Sequence, residues 1–132
     1  MVGTKRILIV EDELTVAQAL ERALNLPRGG SYAVERCESA EAALERLGQE
    51  QFDLVISDLR LPGMNGLELI EHAYQLSPGI HSVLITAYGS PQVEARARLL
   101  TDAYLPKPFR LADMVHIVGC ILNQFPVDLE GM

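Results

Sequence analysis

The sequence predicts an α/β fold with a central parallel β-sheet. Five short segments with the composition of β-strands alternate with helical segments along the chain. This alternation is typical of parallel strands joined by right-handed crossovers, whose helices cover both faces of the sheet. Residues 54–56 are apolar with no polar side, as expected for a central strand that is buried on both faces.

Each element follows from a local pattern of apolar and capping residues. The spacing of Val16 and Leu20 indicates a helix, whereas residues 32–37 alternate like a strand at the edge of the sheet. Ser39 and Ser90 are candidate N-caps, and a proline at the first helical position follows the second. We predict strands over residues 5–10, 32–37, 52–57, 81–86 and 103–105. We predict helices over residues 14–26, 40–47, 67–76, 91–100 and 111–125.

Glycine and proline mark the predicted ends of three helices. Residues 27–30 (Pro-Arg-Gly-Gly) break the first helix, Gly48 ends the second, and residues 77–79 (Ser-Pro-Gly) end the third. The fourth helix has a thin apolar stripe, because Arg96 and Arg98 alternate with alanines. We therefore expect it to be one of the more loosely held elements.

Length, composition and charge restrict the class of protein. With 132 residues, 48% of them hydrophobic, the chain is expected to form a single domain over residues 1–132. We place its core at about residues 5–124 and a tail, or the start of a linker, at 125–132. The net charge of −7 argues against direct binding to nucleic acid or to an anionic membrane, because both would repel an acidic surface.

The apolar runs and the cysteines predict where in the cell the protein is located. The first apolar run, residues 7–10, is too short for a signal peptide or a membrane span. Cys37 and Cys120 lack the spacing of a metal or redox motif. A cytoplasmic protein with reduced thiols is the simplest interpretation.

Polar residues stand where four of the predicted strands end. Glu11 and Asp12 follow the first strand, and Asp58 follows the third. Thr86 closes the fourth, and Lys107 comes shortly after the fifth. Because parallel strands end at the same edge of a sheet, we expect these side chains to lie close together. Three neighbouring carboxylates repel one another by several kcal/mol, so a cation is needed beside them.

Magnesium and phosphoryl transfer fit this set of residues. Carboxylate and carbonyl oxygens with retained water suit Mg2+, which commonly works beside phosphate. Lys107 adds a positive charge and Thr86 a hydroxyl donor at the same edge. These groups would equip Asp58 as the nucleophile of an in-line phosphoryl transfer, with an aspartyl phosphate as the product.

The polar residues belong to motifs that occur in a particular order along the chain. The motifs are Glu11-Asp12, Asp58 with Pro-Gly-Met-Asn-Gly at 62–66, Thr86-Ala87, and Tyr104 ahead of Lys107-Pro108-Phe109. In this order they resemble the response-regulator receiver domain of two-component signalling, over about residues 6–124. The resemblance implies a flavodoxin-like three-layer sandwich, in which five helices cover a five-stranded parallel sheet of order 2-1-3-4-5. It also implies a protein that catalyses only its own phosphorylation and dephosphorylation, and is not otherwise an enzyme.

The resemblance implies roles for the acidic residues. Asp58 would be the phosphoacceptor, with a histidine kinase, a phosphotransfer protein or a small phosphodonor as the source. Asp12 would bind Mg2+ directly and Glu11 would bind it through water. Asp58 and the backbone carbonyl of Arg60 would complete the protein ligands.

The resemblance also implies how the signal leaves the site. Thr86 and Lys107 would contact the phosphoryl oxygens, and this contact would be coupled to an inward turn of Tyr104. The turn would reshape the face of the fourth helix, fifth strand and fifth helix, which controls an output domain or a docking partner. A phosphorylation-dependent homodimer is left open. The Lys107–Pro108 peptide bond is expected to be cis.

Two features are particular to this chain. A Leu-Thr pair at residues 100–101 stands where the family usually has Gly-Ala, so the fourth helix lacks the residue best suited to a left-handed cap. The shape of the signalling face there is left open. Arg60 and Tyr88 stand two residues after Asp58 and Thr86, at positions that border the path of the attacking water in such domains. We hypothesise that these bulky side chains slow hydrolysis and lengthen the phosphorylated lifetime.

Three other functions compete with this interpretation. A phosphohydrolase with an aspartate nucleophile would want a second acid two residues later, where Arg60 stands. A flavodoxin-like electron carrier would need a phosphate-binding loop after the first strand, where residues 11–13 are all acidic. A degenerate receiver domain that no longer takes phosphate is the nearest alternative, and the complete set of acids, threonine and lysine argues against it.

Overall fold

A computed structural model describes residues 4–25 and 32–123 of the chain. In these residues five strands and five helices alternate, as the sequence pattern predicts. The strands are β1 (Lys5–Val10), β2 (Tyr32–Cys37), β3 (Leu54–Asp58), β4 (His81–Thr86) and β5 (Ala103–Pro106). The helices are α1 (Leu14–Leu24), α2 (Ala40–Gln49), α3 (Gly66–Leu76), α4 (Pro91–Leu100) and α5 (Leu111–Asn123).

The five strands form one parallel sheet in the order β2-β1-β3-β4-β5. This confirms the predicted fold class. All residues of β3 are buried, which agrees with a central strand covered on both faces. At the predicted edge strand β2, only Cys37 is buried.

The helices cover the two faces of the sheet and bury two apolar clusters. Alternate residues of β1 point to opposite faces, so Ile7 and Leu8 enter different clusters. The cluster around Ile7 includes Leu20 of α1 and Met114 of α5. The cluster around Leu8 includes residues of α2 and α3 and, from α4, Ala97. The molecule therefore has three layers, with α1 and α5 on one face and α2, α3 and α4 on the other.

The predicted helix caps are present. The Oγ atom of Ser39 accepts a hydrogen bond from the Ala42 N–H, and the Oγ atom of Ser90 accepts one from the Val93 N–H. Within α4 only Ala97 is fully buried, so this helix contributes little to the core. That α4 is loosely held stays a prediction. In the described part of the chain, no helix combines the length and the apolar character needed to cross a membrane.

The end of α4 is closed by a side chain. Thr101 has extended backbone angles (φ −109°, ψ 160°), so no left-handed residue follows the helix. Its backbone N–H donates to the Ala97 carbonyl oxygen (2.8 Å), and its hydroxyl shares one proton between that oxygen (2.6 Å) and the Ala103 carbonyl oxygen (3.1 Å). A threonine therefore ends α4 where a glycine cap would be usual.

Several predicted boundaries are wrong by one or two residues. Gly48 does not end α2, which continues to Gln49 because the Glu50 N–H still bonds to the Arg46 carbonyl. The third strand begins at Leu54 and not at residue 52, since the Asp53 carboxylate accepts the Arg6 N–H before the ladder starts.

β3, α3 and β5 each extend one residue beyond the prediction, to include Asp58, Gly66 and Pro106. α1 ends at Leu24, before its predicted end. Residue 26, the predicted break at 27–30, the predicted end of the last helix at 125 and the tail at 125–132 lie outside the described residues.

A charged cluster that the sequence analysis did not predict joins β1, β2 and α2. The Arg6 guanidinium contacts the carboxylates of Glu35 (2.7 Å) and Glu50 (2.5 Å), and Arg46 pairs with the same two acids. Arg6 also lies 4.4 Å from the ring centroid of Phe52. This far-end cluster (Arg6, Glu35, Arg46, Glu50 and Phe52) lies at the end of the sheet opposite Asp58, where β1 and β3 begin.

Candidate functional site

The carboxyl edge of the sheet brings polar side chains into an otherwise apolar interior. Glu11 directly follows β1, Asp58 and Thr86 are the last residues of β3 and β4, and Lys107 directly follows β5. Glu11, Asp58 and Thr86 are all buried. Buried polar groups of this kind need partners, because burial without them costs free energy.

Three carboxylates meet at this edge. Glu11, Asp12 and Asp58 each place a carboxylate oxygen within 4.8 Å of the other two. Asp12 is exposed, whereas the other two are buried. An all-oxygen set that is open to solvent on one side suits Mg2+, which keeps several of its waters. The predicted clustering of the acids is therefore present, and these residues fit a hard divalent cation.

The acidic cluster changes the protonation of Glu11. The pKa of Glu11 is raised from 4.5 to about 7, mainly by burial and also by the charge of Asp58. The Glu13 N–H, which donates to Glu11 Oε2 at 3.1 Å, and the Lys107 ammonium oppose this rise. Without a metal ion, Glu11 is therefore partly protonated near neutral pH.

The Lys107 ammonium is the positive charge of the site. Its Nζ atom lies 3.2 Å from Glu11 Oε1 and 3.2 Å from Asp58 Oδ2. Burial lowers the pKa of Lys107, but the charges and hydrogen bonds of Asp58 and Glu11 outweigh that effect and raise it above its usual value. Lys107 therefore stays charged beside Asp58. The peptide bond from Lys107 to Pro108 is cis, as expected, and the Lys107 N–H donates to the Thr86 carbonyl (2.8 Å).

Thr86 and Tyr104 both adjoin the loop between β4 and α4. Thr86 Oγ1 accepts a hydrogen bond from the Tyr88 N–H at 2.9 Å. The Tyr104 side chain is half-buried, packs against the cluster around Leu8, and has its hydroxyl beside Gly89. The predicted switch residues therefore adjoin one short segment, residues 87–89.

The loops after β3 and β4 are joined by an arginine and a tyrosine. The Arg60 guanidinium carbon lies 4.3 Å from the ring centroid of Tyr88, in cation–π geometry. Tyr88 is 62% exposed, so the pair lies at the surface of the site. Both residues were candidates from their positions in the sequence, but their contact was not predicted.

The family follows from a comparison with known proteins. Residues 7–119 match the family model described as "Response regulator receiver domain". The chain belongs to this family. The receiver domain is 38% identical over 124 residues to the response regulator protein FleR of Pseudomonas aeruginosa. This match covers 92% of this chain and 25% of FleR. It is 33% identical over 119 residues to the response regulator receiver protein CpdR of Brucella abortus. This second match covers 89% of this chain and 97% of CpdR.

A solved structure agrees with this assignment. The receiver domain matches the crystal structure of a CheY-like response regulator receiver domain protein from Methanospirillum hungatei JF-1 with a TM-score of 0.84. The two are 32% identical in sequence, and the match covers 92% of this chain and 96% of the other. This chain spans about a quarter of the length of FleR and nearly all of CpdR.

Two contributions to the site of the receiver domain were not predicted from the sequence. The first is Gly66, whose position a larger residue could not occupy: a Cβ atom there would lie 2.2 Å from the Asp58 carbonyl oxygen and 2.9 Å from Ser57 Oγ. The absence of a side chain lets α3 start directly against the end of β3. The second is Glu13, whose Oε1 atom lies 3.5 Å from Lys107 Nζ. The acidic run at 11–13 was a signal for the second contact.

Proposed function

We propose that this receiver domain is a phosphoacceptor switch, with Asp58 as the residue that takes the phosphoryl group. The observation that carries the proposal is the position of Lys107, whose ammonium touches both Asp58 and Glu11 at 3.2 Å inside a cluster of three acids. A carboxylate with an ammonium on one side and cation ligands on the other suits an in-line phosphoryl transfer. The phosphodonor is a histidine kinase, a phosphotransfer protein or a small phosphodonor.

In the proposed reaction an Asp58 carboxylate oxygen attacks the phosphorus atom of the donor. A P–O bond to Asp58 forms while the P–N bond of a phosphohistidine breaks, and the imidazole leaves with the electron pair and takes a proton from water. Lys107, held at 3.2 Å from Asp58 Oδ2, lies where it can neutralise charge on the phosphoryl oxygens. Thr86 supplies a hydroxyl on the neighbouring strand for a second phosphoryl oxygen.

Mg2+ is the proposed cofactor, and it would neutralise phosphoryl oxygens during transfer. Asp12, Asp58 and the backbone carbonyl of Arg60 would hold it directly, and Glu11 would hold it through water. The all-oxygen cluster of Glu11, Asp12 and Asp58 supports this assignment. Gly66 supports the same site, because the absence of its side chain lets the chain around Asp58 pack closely.

The proposed output is a change in the face formed by α4, β5 and α5. When Thr86 turns its hydroxyl to the phosphoryl group, its bond with the Tyr88 N–H is lost and the segment 87–89 can shift. Tyr104 touches that segment at Gly89, so the shift and an inward turn of the tyrosine would be coupled. This face would then control an output domain or a docking partner, and a phosphorylation-dependent homodimer is one form of that output.

Arg60 and Tyr88 are proposed to tune the lifetime of the phosphorylated state. Their cation–π contact joins the two loops that flank Asp58 and Thr86. A water molecule that attacks the aspartyl phosphate has to pass this region. The pair would therefore slow hydrolysis.

We infer a single domain over residues 1–132 in a cytoplasmic protein, and the free thiols of Cys37 and Cys120 support a reducing location. The net charge of −7 supports a protein that binds neither nucleic acid nor membranes directly. Catalysis is limited to its own phosphorylation and dephosphorylation.

The test is incubation with a radiolabelled small phosphodonor in the presence of Mg2+. We expect about one phosphoryl group per chain, with the label lost in Asp58→Asn and retained in Asp113→Asn, which alters an exposed acid on α5. Continuous turnover of the donor would indicate a phosphohydrolase, and a yellow protein would indicate a flavin carrier. A folded protein that takes no label would indicate a degenerate receiver domain.

A further inference from the structure

The side chain of Glu13, the residue before α1, does not cap the helix. Glu13 occupies the N-cap position, where Ser, Thr, Asp and Asn are favoured because their short side chains accept the free N–H groups of the first turn. The Glu13 side chain makes no such bond. Its carboxylate extends instead towards Lys107, with Oε1 at 3.5 Å from Nζ. Glu13 therefore interacts with the site and leaves its own helix uncapped.

This contact completes the surroundings of the Lys107 ammonium. A lysine has three N–H donors and no acceptor. Three carboxylates surround Nζ, with Glu11 and Asp58 at 3.2 Å and Glu13 at 3.5 Å. The contacts to Glu11 and Asp58 are hydrogen bonds, and the contact to Glu13 is an ion pair. A phosphoryl oxygen that approaches Lys107 from solvent therefore meets the Glu13 carboxylate.

The three carboxylates differ in how easily they can be displaced. The Glu11 side chain is fully buried and that of Asp58 is 9% exposed, whereas the Glu13 side chain is 64% exposed. A buried carboxylate that lost its ammonium partner would stay in a medium of low dielectric, at a high cost. Glu13 can exchange Lys107 for water at little cost. Glu13 is therefore the carboxylate that an incoming phosphoryl oxygen replaces.

We propose that Glu13 determines phosphodonor specificity, through its negative charge on the solvent side of Lys107. This inference rests on the proposed function of Asp58 as the phosphoacceptor. A donor brings its own negative charge to Lys107, so Glu13 repels a dianionic donor more strongly than a monoanionic one. Donors with little net charge at the phosphoryl group, or protein donors with positive charge beside it, are favoured over small dianions.

Two small donors separate charge from other effects. In both reactions a P–O bond to Asp58 forms. With an acyl phosphate, mainly a dianion at pH 8, the P–O bond to the acyl group breaks and the carboxylate leaves with the electron pair. With phosphoramidate, which carries less negative charge, the P–N bond breaks and ammonia leaves after the nitrogen has been protonated. The two donors therefore transfer the same group but differ in charge on approach.

The experiment measures initial phosphorylation rates of Glu13→Gln with both donors at saturating Mg2+ and low ionic strength. Coulomb's law in water, for charges about 6 Å apart, predicts a rise of about tenfold with the acyl phosphate and about threefold with phosphoramidate. The ratio of the variant rate to the wild-type rate should fall towards one with both donors as salt is added, since salt screens exposed charges. Equal gains with the two donors, gains that do not depend on salt, or no gain would each overturn the proposal.

Two further variants exclude an effect on the helix or on overall charge. Glu13→Ser removes the same charge but introduces a favoured N-cap, so it stabilises α1 where Gln does not. Both variants should show the same gains if charge is responsible, and different gains would contradict the proposal. Glu45→Gln, an exposed acid on α2, changes the net charge equally and should leave the rates unchanged. Loss of labelling in Asp58→Asn tests the phosphoacceptor separately, so labelling of the wild type without a Glu13 effect would refute this inference alone.

Discussion

The hydroxyl oxygen of Tyr104 occupies the space that a side chain at Gly89 would need. A Cβ atom at Gly89 would lie 2.2 Å from this oxygen and 3.8 Å from the Cγ2 atom of Thr86. The Gly89 backbone is not in the left-handed region, so the missing side chain matters here more than the freedom of the backbone. The position of the tyrosine in β5 therefore depends on a residue in the loop after β4.

We expect Gly89→Ala to lower the free energy of unfolding by roughly 1–3 kcal/mol, because the added methyl group overpacks the contact with Tyr104. Chemical denaturation measures this difference. Tyr104→Phe in the same background should recover part of the loss, since it removes the oxygen that meets the methyl group. Gly79→Ala is the matched control, as nothing lies within 4 Å of a Cβ at that position. Equal effects of the two alanine substitutions would contradict the prediction.

Magnesium should stabilise the fold through Asp12. At a Mg2+ concentration about ten times its dissociation constant, mass action predicts a gain of about 1.4 kcal/mol, or a rise of a few degrees in the thermal midpoint. Asp12→Asn should lose most of this rise, because one direct oxygen ligand becomes neutral. Differential scanning calorimetry at constant ionic strength measures the shift of the thermal midpoint on addition of Mg2+. Asp113→Asn is the control. A full Mg2+ effect in Asp12→Asn would exclude Asp12 as a ligand.

The buried Glu11 should make the stability of the metal-free protein dependent on pH. Its pKa is about 7 in the folded protein and 4.5 as its ordinary value, so the folded state holds the proton more tightly. The stability from this group is present in full below pH 4.5 and is lost as the pH rises through 7. Over this pH range, the free energy of unfolding of the wild type should fall by up to about 3 kcal/mol more than that of Glu11→Gln. Urea denaturation across the range tests this, and parallel curves for the two proteins would refute it.

The contact between Arg60 and Tyr88 should affect the decay of the aspartyl phosphate. Arg60→Ala and Tyr88→Ala should each shorten the phosphorylated lifetime by about two- to fivefold, the range that corresponds to an exposed cation–π contact of 0.5–1 kcal/mol. Loss of label after removal of the donor measures the lifetime. Arg22→Ala, an exposed arginine on α1, serves as the control. An unchanged decay rate in both test variants would remove the tuning role.

The strand ends were predictable because they depend on local patterns and on one property of parallel sheets. Apolar runs followed by Glu11, Asp58 and Thr86 identify both the strands and their carboxyl ends, and parallel strands bring these ends to one edge. The cis bond before Pro108 and the set of acids were expected from the family resemblance and are present. Predictions of this kind need no knowledge of loop geometry.

The contacts between loops were not predictable, because they depend on the paths of segments far apart in the chain. Arg60 and Tyr88 are in different loops, and no local pattern indicates that they meet. Glu13 and Lys107 are also in different loops, and the acidic run at 11–13 indicates attraction to a cation but not to which one. The predicted end of α2 at Gly48 was wrong for a related reason. The preference of Gly48 for a helix end is outweighed by the ion pair between Arg46 and Glu50, and by the bond of Glu50 to Arg6.

The far-end cluster around Arg6 suggests how this protein could be engineered. Its ion pairs hold the start of β1 to β2 and to the end of α2, at the end of the sheet opposite Asp58. Substitutions that strengthen these ion pairs can improve heat tolerance without altering the chemistry at the other end. A biosensor built on the protein could therefore be made more durable while its response to the donor is kept.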